Sequence, residues 1–151
     1  MTKAHLPSLI IKKENIMLIQ RPENHQSCVI CGEKKSDHEL GLTFIVEEEG
    51  VVSTTFTPTR VVQGYQGVMH GGMICSLLDS AMTNCLFSLG VHAMTADLNV
   101  RFIHPVPLDQ PITILGEFIQ QRRGIYQLSS SLTHLGVKLA TATAKFVVPK
   151  P

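Results

Sequence analysis

The chain has 151 residues, 44% of them apolar and 17% charged, with a formal net charge of +1. That is the composition of one globular domain with a sizeable core, not of a disordered segment. The near-neutral balance and the absence of a basic run leave no electrostatic footprint for nucleic acid.

The N-terminal apolar run LPSLII is short and is followed by Lys12, Lys13 and Glu14, so it does not read as a secretory signal. No membrane span is expected either. The uncharged stretch 61–78 is interrupted by glycines, and the helix beyond it carries Asp79 near its middle, which is costly in a bilayer. The four cysteines, Cys28, Cys31, Cys75 and Cys85, are therefore read as reduced thiols and the setting as cytoplasmic.

Residues 1–40 show no clear periodicity and are expected to form an N-terminal extension or cap. Within them NIMLIQ suits a short helix or strand. Cys28-Val-Ile-Cys31-Gly, with His25 just before it and His38 downstream, has the spacing of the first half of a zinc knuckle. No second cysteine pair follows. A thiol-containing turn is favoured over zinc at Cys28/Cys31, and no metal ligand is assigned.

From residue 41 to 151 the pattern sharpens into one domain. GLTFIVEEEGVVSTTF predicts two strands around a turn at Glu49-Gly50. TPTRVVQGYQG is a loop punctuated by Pro and Gly. A helix is predicted over about 71–89, with Gly90 as its stop. Four strands follow, in MTADLNVRFI, ITILGEFIQ, GIYQLSSSLTH and VKLATATAKFVV. In the first, Leu98, Val100 and Phe102 alternate with Asp97, Asn99 and Arg101. In the last, Ala140, Ala142, Ala144 and Phe146 share one face, and an alanine face lets a helix lie very close. Consecutive strands with short connections imply antiparallel pairing. One long helix is available to cover them, so the expected class is α+β, a curved antiparallel sheet around one central helix.

On that helix Met73, Ile74, Leu77, Leu78, Ala81, Cys85 and Leu89 form a broad apolar stripe. Asp79 projects elsewhere, beside Ser76 and Thr83, and Met82, Leu86 and Phe87 flank it. A lone carboxylate among such neighbours is paired or functional. At the helix start, His70-Gly71-Gly72 offers backbone N–H groups without helical partners and with no Cβ in the way. Such donors can hold a developing oxyanion. The alternative for the glycines is a tight loop-to-helix turn, and for the carboxylate a solvated face.

GYQGVMHGGMICSLLDSAM has an HGG-x(4)-LxD pattern, and TADLNVRFIHPVPLDQPITILGEF and HLGVKLATATAKFVV reinforce it. Over residues 41–149 the sequence resembles the hotdog-fold thioesterases, specifically the PaaI-like group of acyl-coenzyme A thioesterases. The resemblance implies a hotdog fold and hydrolysis of an acyl-CoA to free acid and CoA. It implies Asp79 as general base or nucleophile, and Gly71, just after His70, as the backbone donor to the thioester carbonyl. Thr95 falls where relatives place a positioning hydroxyl. Some relatives carry an asparagine six residues before the histidine. Here that position is Gly64, and the neighbouring Gln63 is the candidate replacement. Gly72, Met82, Thr83, Leu86 and Phe87 would meet the acyl group, and Arg122, Arg123 or Lys138 the CoA phosphates. The family's sites are built from both subunits of a dimer, so a homodimer is expected, with pairing into a homotetramer left open. CoA enters only as part of the substrate, and no cofactor is required. The rival readings are a non-catalytic acyl-CoA binding or regulatory hotdog protein and, further off, an acyl-thioester dehydratase or hydratase.

Overall fold

In the computed structural model, residues 10–13 are described by their backbone and residues 16–151 in full. The strands are β1 (Ile10–Lys13), β2 (Ile16–Ile19), β3 (Ile45–Glu48), β4 (Val51–Phe56), β5 (Met94–Phe102), β6 (Ile112–Arg122), β7 (Ile125–His134) and β8 (Val137–Val147). One long helix, α1 (Gly71–Ser88), falls between β4 and β5, and 3-10 turns occupy Glu23–His25 and Arg60–Val62. The strands form a single antiparallel sheet in the order β1-β2-β3-β4-β6-β7-β8-β5. The two strands expected around Glu49-Gly50, the helix, and the four strands after it are all present. NIMLIQ supplies a strand, and its chain continues onto the sheet: Leu18 lies opposite Ile45, and the Ile19 N–H donates to the Phe44 carbonyl at 3.2 Å.

Local chemistry sets the ends of α1. His70 is the N-cap, with an extended backbone at φ −61° and ψ 132°. At the other end the Gly90 N–H donates to Phe87 and the Val91 N–H to Leu86, with Gly90 at φ +75°. That pair of bonds is a Schellman motif, and only glycine takes its left-handed position without strain.

The helix lies across β4, β6, β7 and β8. Leu77, Leu78, Ala81 and Cys85 are wholly buried against Val52, Ile114, Leu128, Leu132 and Ala140. The alanine face of β8 is closed as expected, with Ala140, Ala142 and Ala144 at 5% exposure or less. The closest approach is at Gly116 on β6. A Cβ there would stand 2.5 Å from the Ala81 carbonyl oxygen, so nothing larger than hydrogen fits. No helix among the described residues is long and apolar enough to cross a membrane.

β5 ends the sheet and has β8 as its strand partner. Its register slips between Thr95 and Asp97. Thr95 pairs with Phe146 and Leu98 with Ala144, residues of the buried face of β8, whereas Asp97 pairs with Lys145 on the outer face. Regular alternation would have put Thr95 and Asp97 together on the outer face. The bulge at Ala96 turns Thr95 inward toward α1.

Candidate active site

The bulge brings the Thr95 hydroxyl to the middle of α1, where it donates to Asp79 Oδ1 at 2.6 Å. Asp79 is half-buried. Burial pushes its pKa up, and the Thr95 hydrogen bond, which favours the charged form, pulls partly back. The result is a carboxylate fixed in direction and more basic than an ordinary surface aspartate. Its charge also helps raise the pKa of Cys75, after desolvation of that thiol.

Asp79 and Thr95 open onto a cavity of about 320 Å³. Thr83 and Phe87, one and two turns further along α1, continue the wall. The loop after the helix adds His92 and Ala93, the start of β5 adds Met94, and the N-terminal segment adds Pro22, Asn24 and His25. Phe87 stands between two histidines, with ring centroids 4.9 Å from His25 and 5.7 Å from His92, both edge-on. The chamber is apolar at its wall and polar at the carboxylate, which suits an acyl group ending at a reactive carbonyl.

The helix N-terminus forms a second cluster. His70 Nδ1 accepts the Gly72 N–H at 2.9 Å, which uses that donor and fixes the imidazole as a cap. A Cβ on Gly72 would stand 3.0 Å from the His70 ring, so a side chain there would press the imidazole off its capping position by a few tenths of an ångström. The Gly71 N–H has no partner among the described residues. The ring of Phe102 lies beside it, 3.6 Å from where a Gly71 Cβ would stand. Of the two glycines, Gly71 alone keeps a donor available, and it carries the positive end of the helix dipole.

Gln63 belongs to neither cluster. Its Oε1 accepts the Gly67 N–H at 3.0 Å and holds its own loop. A Cβ at Gly64 would lie 2.9 Å from the His70 Cα, so a side chain at that position requires the backbone to move. Met82 and Leu86 do not line the cavity: they are 0% and 1% exposed. Met82 is turned about 60° from Asp79 toward the sheet, and Leu86 lies in the last turn, where the chain folds back on the helix. Arg122 and Arg123 sit at the β6–β7 turn, exposed. They share the sheet end of Met94 but stand three strands away from it, about 14 Å. Lys138 is at the opposite end of β8. The walls given by Pro22, His25 and His92 carry no periodic signal in the sequence.

Asp79 lies eight positions along the helix from Gly71, about 12 Å along the axis. The donor and the carboxylate of one chain therefore cannot act on the same carbonyl.

Residues 66–125, from the loop before α1 through β6, match the thioesterase superfamily. Bovine (Bos taurus) acyl-coenzyme A thioesterase THEM4 is 40% identical over 78 residues, which are 50% of this chain and 32% of the relative. The chain thus aligns with about a third of the length of that relative. A hypothetical thioesterase from Streptococcus pneumoniae TIGR4, solved with coenzyme A, is 26% identical with a TM-score of 0.65, covering 70% of this chain and 87% of that one. The Escherichia coli PaaI protein of the phenylacetic acid degradation operon shares the fold, with a TM-score of 0.67 at 22% identity over 72% of this chain and 83% of its own. The domain has the hotdog fold expected from the sequence, an antiparallel sheet around one central helix.

Proposed function

We propose that the protein is an acyl-CoA thioesterase whose active site is completed by a second copy of the chain. The observation that carries this reading is the Asp79–Thr95 pair, held at 2.6 Å on the wall of a mostly apolar cavity. Thr95 aims the carboxylate, and Asp79 serves as general base or nucleophile. As a base, Asp79 takes a proton from water and the hydroxide adds to the thioester carbon. The oxyanion forms on a backbone N–H, then collapses as the C–S bond breaks, and the proton passes to the departing CoA thiolate. The acyl group lies along Thr83 and Phe87.

The Gly71 N–H supplies the oxyanion donor, and its distance of about 12 Å from its own Asp79 supports taking that donor from the partner. A two-fold homodimer gives two equivalent sites, each with Asp79 from one copy and Gly71 from the other. The exposed Phe102 and Met94 of the end strand β5, at 55% and 65%, supply apolar surface for such a contact.

The test is a hydrolysis screen over acyl-CoA esters with thiol detection, followed by mixing of two inactive variants. Asp79→Asn removes the carboxylate. Gly71→Pro removes the N–H at a first helical position, where proline is tolerated and the preceding ψ of 132° already suits it. Unfolded, remixed and refolded together, the two variants should recover about a quarter of the parent rate, because half of the randomly paired dimers then hold one intact site. No recovery from two folded, mixed variants would overturn the shared site. No hydrolysis of any ester by the parent would overturn the activity.

A further inference from the structure

The N-terminal segment carries a cluster of its own, apart from the Asp79 pair. The Cys28 N–H donates to the His25 carbonyl at 3.3 Å, and the Gly32 N–H to the Cys28 carbonyl at 2.8 Å. The turn is so tight that a Cβ on Gly32 would stand 2.5 Å from the Cys28 backbone. This winding carries three soft ligands to one place. One donor atom each from His25, Cys28 and Cys31 lies within 4.8 Å of the other two. His38, seven residues beyond Cys31, is not in that cluster. We propose that His25, Cys28 and Cys31 form a binding site for a soft divalent metal ion, zinc foremost, with its fourth position open to an exogenous ligand.

Two thiols and an imidazole form a donor set that selects zinc over hard cations. Bonds of about 2.3 Å to sulfur and 2.0–2.1 Å to nitrogen put tetrahedral ligands about 3.5–3.8 Å apart. The ligand atoms need draw together by no more than about 1.3 Å, within the reach of small side-chain rotations. Both cysteines are free thiols, and binding displaces their protons to solvent. Cys31 is 1% exposed and sheltered, while His25 and Cys28 are half-buried and leave a way in.

The site's location gives it a role. The His25 ring lines the Asp79 cavity and meets Phe87 edge-on. A metal ion fixing that ring clamps the N-terminal segment in place as the cavity's outer wall. This holds whatever reaction the cavity supports, because metal uptake is read directly.

The experiment is titration of Co²⁺ into the reduced full-length protein. A thiolate-to-cobalt charge-transfer band should grow to saturation at about one equivalent and be displaced by Zn²⁺. Cys28→Ser and Cys31→Ser should each abolish or cripple the band. His25→Ala should weaken binding by at least about 10-fold, and Cys75→Ser should leave it unchanged. Circular dichroism checks the fold of each variant. If a cysteine variant does not fold, the parent titration and His25→Ala decide. No band in the parent, or a band indifferent to His25, Cys28 and Cys31, overturns the site. The clamp has its own readout: zinc should slow trypsin cleavage after the exposed Lys34 and Lys35, and equal rates with zinc and with chelator overturn it.

Discussion

Along α1, Leu77, Leu78, Ala81 and Cys85 are sealed under the sheet, whereas Asp79, Thr83 and Phe87 line a cavity. The two strips belong to one helix, and the same N-cap and Schellman stop serve both. They differ in what lies opposite. The sealed strip meets strands whose small residues bring backbone to backbone, with Gly116 against Ala81. The open strip meets the end strand and the N-terminal segment, which leave a chamber. Sealing fixes the position of the helix, and the opening makes that fixed position useful, since a carboxylate is only as well aimed as its backbone.

Removing the carboxylate proposed to act in the open strip should have the largest effect. Asp79→Asn keeps size and shape and should lower acyl-CoA hydrolysis by about 10²–10⁴-fold, with the fold and ligand binding retained. A rate within a few-fold of the parent would leave Asp79 a structural group.

Gly116→Ala attacks the sealed strip instead. Its Cβ would meet backbone, not a flexible side chain, so the helix must shift. A loss of about 1–3 kcal/mol in denaturant unfolding is expected. Unchanged stability would mean that the contact yields freely.

The sealed strip was legible in the sequence, because burial against a sheet imposes a period. The helix bounds, the β8 alanine face and the four later strands all followed from it. The open strip was legible only in part. Asp79 stood out as a lone carboxylate and Thr95 through the resemblance, but the bulge at Ala96 that joins them leaves no residue signature. Met82 and Leu86 flank Asp79 on the helical wheel, and the resemblance implies an acyl wall there, yet neither lines the cavity. What covers a flank depends on distant strands and loops. Gln63 stood beside the family's amide position, yet hydrogen bonding within its own loop uses its carbonyl oxygen.

Thr95→Val tests the bond that the bulge makes. It removes a hydrogen bond that favours the charged form of Asp79, so the pKa should rise further. The acid limb of kcat/KM should move to higher pH, with a rate loss of about 10-fold at neutral pH, below the general-base range. An acid limb that stays in place would separate Thr95 from the titration.

The smallest effect concerns stability against pH. Burial raises the Asp79 pKa in the folded chain above its unfolded value. The native state therefore binds that proton more tightly. The stability this contributes is complete below the ordinary carboxylate range and is lost as pH rises through the raised value. Asp79→Asn removes this dependence, so the variant should gain on the parent as pH rises across that window, read as a difference in midpoint denaturant concentration. A constant difference would mean that the burial costs nothing.

The position of β5 also bears on synthesis of the protein. β5 leaves the ribosome directly after the helix, yet its strand partner is β8, which emerges only after β6 and β7. Thr95 cannot be fixed against Asp79 until residues 137–147 have emerged and docked. The nascent domain thus fixes Thr95 against Asp79 only once β8 has emerged, and a chain cut short before Val137 holds both residues but lacks the strand that β5 pairs with.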